Sequence, residues 1–209
     1  MSNLKLSRLF GASPETSEES ATEEPDGGGV KSPVVVGLGN PGRSYERTRH
    51  NVGFLVADEL AKRHGGSWRS KKKAEAAPVG FGLKNATLLK PTTYMNNSGA
   101  ALAGHKVEDL IVVHDDLDLP PGDVRVKVGG GAGGHNGLRS LTQHLGNDFV
   151  RVRIGIGRPP AGAGVTVTDY VLGRMDSTVK EAVLVAADAV EAVIESGPEA
   201  AMNRFNVRS

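Results

Sequence analysis

Val34-Val35-Val36-Gly37-Leu38-Gly39-Asn40-Pro41-Gly42 runs from β-branched residues straight into a Gly/Pro turn. A short apolar run bounded by turn residues reads as a buried strand. Across 51–64, Val52, Leu55, Val56, Leu60 and Ala61 form a helical stripe, closed by Gly65-Gly66. Further strands are predicted at 86–90, 110–114, 124–128 and 149–156. A helix carrying Leu138, Leu141 and Leu145 follows the glycine run 129–137. Another spans 176–196, with Val179, Val183, Ala186, Val190 and Val193 inward, and ends at Gly197-Pro198. Strand–helix alternation predicts an α/β fold, whose ligands bind outside the carboxyl ends of its strands.

Those ends are where the polar residues gather. Asn40 closes the first strand, and His50 precedes the first helix. Asn96 lies in Lys90-Pro91-Thr92-Thr93-Tyr94-Met95-Asn96-Asn97-Ser98-Gly99, and Asp115 follows the 110–114 strand. Asn136 stands beside His135 at the end of the glycine run. An imidazole titrates near neutrality, which suits a base that draws a proton from water. A carboxylate that fixes its tautomer improves it, and Asp115 fills that part if the fold joins the two loops. Asn is common in turns for backbone reasons alone. Three of them at strand ends point to amides aimed at a carbonyl, a peptide backbone or a catalytic water.

The 209 residues contain no cysteine, which excludes disulfides and thiolate metal sites. No apolar run reaches the roughly 18 residues that span a bilayer. Residues 1–32 hold three basic and six acidic side chains, a balance of −3; with +1 for the whole chain, the rest carries +4. The acidic, Ser/Gly-rich 1–32 stretch predicts a disordered extension, and its acidity argues against a transit peptide. The basic remainder from 33 to 209 is compatible with an RNA or phosphate ligand. Arg125 and Lys127 share one strand face and Arg151 and Arg153 another; a solvated face or a phosphate-binding edge explains either pattern. Lys71-Lys72-Lys73 reads as a solvated patch.

Three further motifs carry alternatives. Gly37-x-Gly39-x-x-Gly42 fits a dinucleotide fingerprint with Asp58 about twenty residues on, yet Pro41 sits in the turn and no helix starts at Gly42. Asp115, Asp116 and Asp118 are suited to a hard cation, but the rest of a calcium loop is lacking. The glycine run is equally a flexible lid or the approach to an anion-binding helix N-terminus.

Taken together, Gly37–Gly42, Thr48–Gly53, Lys90–Gly99, His114–Gly122, Gly129–Gly137 and Arg153–Gly157 closely resemble the bacterial-type peptidyl-tRNA hydrolase family, over about residues 33–206. The resemblance implies a monomeric three-layer α/β/α domain with a twisted mixed, mostly parallel sheet. It implies hydrolysis of the ester joining a peptide's carboxyl end to the 3′ ribose of tRNA, recycling tRNA in translation and ribosome rescue. No cofactor, metal, membrane or obligate protein partner is implied, and the location is cytoplasmic. By the same resemblance His50 is the base, Asp115 its orienting carboxylate, and Asn40 a catalytic amide. Asn96 and Asn136 line the site, Tyr94 and Met95 form its apolar wall, Tyr45 contacts substrate, and Lys127 and Arg153 clamp the tRNA end phosphate. The chain departs from the family by a segment between Ser98-Gly99 and Glu108-Asp109 about half a dozen residues short, well over one helical turn. A looser Asn96 loop is expected from it. Ala132 also replaces a larger polar residue. A non-catalytic RNA-binding protein on the same fold is the alternative, favoured by the short segment and opposed by His50 and Asp115.

Overall fold

Residues 33–207 are described by a computed structural model; the acidic extension expected over 1–32 lies outside the described residues. The opening valine run forms β1 (Val34–Gly37), and a 3₁₀ turn at Arg49–Asn51 leads into α1 (Val52–Arg63). Next come β2 (Arg69–Ser70), β3 (Ala74–Phe81) and β4 (Lys84–Pro91), then 3₁₀ segments at Met95–Ala101 and Val107–Asp109. The remainder is β5 (Leu110–Asp116), β6 (Val124–Val128), α2 (Asn136–Leu145), β7 (Val150–Gly155), α3 (Val167–Val171) and α4 (Ser177–Phe205).

One seven-stranded sheet has the order β2-β3-β4-β1-β5-β7-β6. Its centre, β4-β1-β5-β7, is parallel, while β3 and β6 pair antiparallel on the flanks. Alternate residues of each central strand feed two cores. Val35, Ile111, Val113, Val152 and Ile154 pack under α1 and α4. Val34, Val36, Leu110 and Val112 pack with Leu138 and Leu141 of α2 and with Phe149. Coverage of both faces is why the parallel strands read as unbroken apolar runs. The result is an α/β/α sandwich with a mixed sheet. Among the described residues no helix is long and apolar enough to cross a membrane.

Two elements differ from the sequence expectation. The hairpin arm of β2 and β3 carries no strand signal of its own, because Ala, Gly and Pro have low strand propensity. Pro78 is tolerated there since β2 reaches only Glu75 and Ala76, leaving the outer side of Pro78 free of any partner strand. The last helix does break at Gly197 (φ 86°, ψ 165°), but Pro198 starts a second helical stretch that runs to Phe205 and buries Ala201. At its end the Asn206 amide donates to Val126 O and accepts from Val126 N, both at 2.8 Å. That side chain thereby covers the edge strand β6, a position otherwise open to pairing with another chain.

Close backbone approach sets the geometry near the site. A Cβ on Gly53 would lie 2.4 Å from Val113 O and 2.5 Å from Leu38 N, and one on Gly37 would lie 2.3 Å from Gly53 O. Two glycines therefore let α1 start directly on the ends of β1 and β5. The Gly37–Gly42 stretch is spent on this contact and a turn. No helix begins at Gly42, and Asp58 on α1 pairs with Lys90 at 2.8 Å, so the dinucleotide reading fails.

Candidate active site

The neighbours β1 and β5 end side by side, which brings their loops together. His50, 65 residues away in sequence, places Nδ1 2.9 and 3.0 Å from the two carboxylate oxygens of Asp115. Both side chains are buried, and His50 lines a cavity of about 740 Å³ at the carboxyl end of the sheet. A second histidine, His135, sets Nε2 3.0 Å from Asp115 Oδ1.

The proton positions follow from the partners. His135 caps α2: its Nδ1 accepts the N–H groups of Gly137 (3.1 Å) and Leu138 (3.3 Å). An accepting Nδ1 carries no proton, so Nε2 holds it and donates to Asp115. An ionised Asp115 only accepts, so His50 donates from Nδ1 and keeps Nε2 as its basic nitrogen. Burial by itself would raise the Asp115 pKa; the charges and N–H groups of His135 and His50 outweigh it and hold the carboxyl well below its usual range.

The same tautomer argument bears on metal binding. His50, Asp115 and His135 offer ligand atoms within 4.8 Å of one another. Freeing His135 Nε2 would move a proton onto Nδ1, against two helix N–H donors, so the residues do not fit a metal. The Asp115-Asp116-Asp118 alternative fails too, since Asp116 pairs with Arg153 at 2.8 Å and Asp118 with Arg158. At the α2 N-terminus, the anion-binding alternative for the glycine run, His135 takes the N–H groups of Gly137 and Leu138.

Asn40 is buried and oriented by three bonds. Its Oδ1 accepts Met95 N–H at 2.8 Å, which commits the side-chain Nδ2 as a donor. Its backbone N–H and C=O are both held at 2.9 Å by the amide of Asn51. Met95 is buried beneath, while Tyr94 is exposed at the rim. Tyr45 lies outside the cavity lining and meets Tyr94 edge-on, ring centroids 6.3 Å apart. Asn96 and Asn136 both line the cavity and are exposed, and Asn136 Oδ1 accepts from Arg139 at 3.1 Å.

The short segment after Gly99 does not loosen the Asn96 loop. That loop forms the Met95–Ala101 3₁₀ stretch, broken at Asn97, and its Gly99 N–H donates to Ser140 Oγ at 3.0 Å. Ser98 Oγ bonds Met95 O at 2.9 Å, and Leu102 is fully buried.

On the α2 side of the sheet, Lys127 and Arg153 line the cavity floor with Arg151. Arg151 is buried, and its guanidinium holds Gly131 O at 2.6 Å and also Gly130 O, fixing the glycine run. Val167 and Val171 of α3, with Leu172 just after it and Leu117, add an apolar wall. Sequence reasoning missed His135, Asn51 and Arg151. His135 had a readable signal, a histidine at a helix start beside a suspected site asparagine; Arg151 had none, since alternation alone also suits a solvated face.

A buried His–Asp pair beside oriented amides, at the carboxyl edge of an open α/β sheet, has the make-up of a hydrolase that activates water. Comparison with known proteins agrees. The family model described as Peptidyl-tRNA hydrolase matches residues 34–209. A peptidyl-tRNA hydrolase from Rubrobacter xylanophilus is 68% identical over 174 residues, covering 83% of this chain and all of the relative. One from Kineococcus radiotolerans is 50% identical, with 83% of this chain and 96% of the relative covered. The crystal structure of peptidyl-tRNA hydrolase from Acinetobacter baumannii superimposes with a TM-score of 0.77 at 35% identity, covering 87% of this chain and 97% of that one. The chain belongs to the peptidyl-tRNA hydrolase family.

Proposed function

We propose that this protein cleaves the ester between the carboxyl end of a peptide and the 3′ ribose of tRNA, with His50 activating the attacking water. His50 Nε2 takes a proton from water as the oxygen attacks the ester carbonyl carbon. The Asn40 Nδ2 donor stabilises the oxyanion of the tetrahedral intermediate. The intermediate collapses, the C–O bond to the ribose breaks, and the 3′ oxygen leaves with the proton that His50 received. Asp115 holds the imidazolium through its Nδ1–H while that proton is in transit. Asn96 and Asn136 position the peptide or the terminal nucleotide. Tyr94 and Met95, with Tyr45 behind Tyr94, supply an apolar contact, and Lys127 and Arg153 receive the terminal phosphate.

The observation that carries this reading is the convergence of two histidine N–H groups on Asp115, which leaves His50 Nε2 as the free base. The packed Met95–Ala101 stretch removes the main argument for a non-catalytic RNA binder. As the family resemblance implies, the protein works as a cytoplasmic monomer without cofactor or obligate protein partner, and residues 1–32 take no part in the chemistry. The test is release of peptide from an N-acetyl-aminoacyl-tRNA. His50→Ala is expected to lose at least 100-fold in kcat while tRNA binding stays within about twofold. Wild-type turnover in that variant would rule His50 out as the base.

A further inference from the structure

Three consecutive residues of one 3₁₀ turn reach three different walls of the cavity. Asn51 clamps the Asn40 loop, His50 bonds Asp115, and Arg49 turns the other way, toward α3. The Arg49 backbone N–H donates to Gly173 O at 3.0 Å. Its guanidinium lies over the Tyr170 ring, 4.3 Å from the centroid, and Nη1 donates to Tyr170 O at 3.2 Å. Nη2 is 3.9 Å from Asp176, which also caps α4 through Val179 N–H. Gly173 makes the room, since a Cβ there would sit 2.8 Å from Arg49 Nη1.

The segment around the turn is joined twice more to the link between α3 and α4. Met175 N–H donates to Arg47 O at 2.9 Å, and Thr48 bridges Arg174. At the far side the Tyr170 hydroxyl donates to Ile156 O at 2.6 Å, just past β7. The helix carrying Val167, Val171 and Leu172 into the cavity is therefore fastened at one side to the sheet and at the other to the residue before His50. Arg49 itself does not line the cavity.

We propose that Arg49 is a positioning residue that couples the apolar α3 wall to His50, so that what fills this wall is felt in turnover more than in binding. The proposal rests on His50 being the base. A lysine has no planar fork and cannot both stack on Tyr170 and bond its carbonyl. Misplacement of a reacting group by about 1 Å costs on the order of 100-fold in rate.

The test compares Arg49→Met, Arg49→Lys and Tyr170→Leu with wild type on a model N-acetyl-aminoacyl-tRNA. Expected are a kcat lower by about 10- to 100-fold in Arg49→Met, a KM within about twofold, and partial recovery in Arg49→Lys. Combining Arg49→Met with Tyr170→Leu is expected to cost little beyond either alone, because the two remove one clasp. The His50 Nδ1 proton, bonded to Asp115, gives a downfield NMR signal that is expected to move or broaden in Arg49→Met and in Tyr170→Leu. A lower melting temperature with wild-type kcat and an unmoved signal would make Arg49 merely structural and overturn the proposal. If Arg49→Met does not fold, Tyr170→Leu decides by the same two readouts. The NMR signal reports on His50 whether or not it is the base, so failure of the coupling is distinguishable from failure of the base assignment, which His50→Ala tests.

Discussion

His135 and Asp115 share a hydrogen bond of 3.0 Å in which the histidine donates, because its other nitrogen already caps helix α2. One side chain thus joins helix stability to the charge of the site. A buried carboxylate without partners is costly by several kcal/mol, and two N–H donors keep this one ionised beside the cavity.

His135→Asn keeps a cap acceptor for α2 and loses the donor to Asp115. The expected result is a loss of about 1.5–3 kcal/mol, roughly 3–12 °C in melting temperature, from the missing donor to a buried carboxylate, and a kcat about tenfold lower. His135→Ala loses both, adding about 1 kcal/mol of destabilisation, which is roughly 2–4 °C for a domain of this size. Thermal melts beside steady-state kinetics separate the two effects. An unchanged kcat in His135→Asn would show that Asp115 needs only His50.

Asn51→Ala removes both bonds to the Asn40 backbone and strands a buried N–H, at about 1–3 kcal/mol. The Asn40 amide then loses its aim, so kcat is expected to fall while KM changes little. A denaturant titration measures the first effect and substrate kinetics the second. Equal losses in binding and turnover would argue that Asn40 serves the ground state.

His114 gives the protein a pH signature. It is fully buried, donates Nδ1–H to Asp115 O at 2.8 Å, and its Nε2 has no partner among the described residues. Burial first, and the nearby His135 second, lower its pKa to about 3 from the ordinary 6.5. Between those values the unfolded chain binds a proton that the folded chain refuses. Stability is therefore full above about pH 6.5 and declines as pH falls toward 3, by up to roughly 1.4 kcal/mol per unit. Asp115, with its pKa depressed, contributes stability that begins to be lost as pH falls below about 3.8 and goes on being lost in stronger acid. His114→Asn, which retains a donor near Nδ1, is expected to flatten the pH 3–6.5 arm in urea melts taken at several pH values. An unaltered arm would mean that another group titrates there.

Lys127 is exposed on the cavity floor, whereas Arg153 shares its charge with Asp116. Lys127→Ala is expected to raise KM about tenfold, leave kcat nearly intact, and reduce the salt slope of binding by about one. Arg153→Ala is expected to do more, since it also leaves Asp116 unpaired facing the phosphate. Binding measured across a salt series decides. An unchanged slope in both variants would remove the phosphate clamp from the reading.

Local patterns carried the central strands and the helical stripes. The valines of β1, Ile111 to Val113 of β5 and the inward residues of α1 and α4 are set by burial, which repeats every two or 3.6 residues and so is written in the chain. β3 escaped because its pairing with β4, and not its Ala/Gly/Pro composition, holds it extended. The continuation of α4 past Gly197 was hidden for a similar reason: the break is local, and docking of Ala201 restores the helix.

The sequence by itself determined an α/β fold, and the resemblance of its motifs implied the three-layer sandwich and pointed to His50, Asp115 and Asn40 as the residues to watch. Only the tertiary structure decided that β1 and β5 lie side by side, that His135 completes the Asp115 site, and that Arg151 and Arg49 are anchors within the molecule. Periodicity records which side of an element is buried. Which partner a buried side chain meets depends on strand order and on contacts between residues far apart in the chain, and no local pattern encodes those.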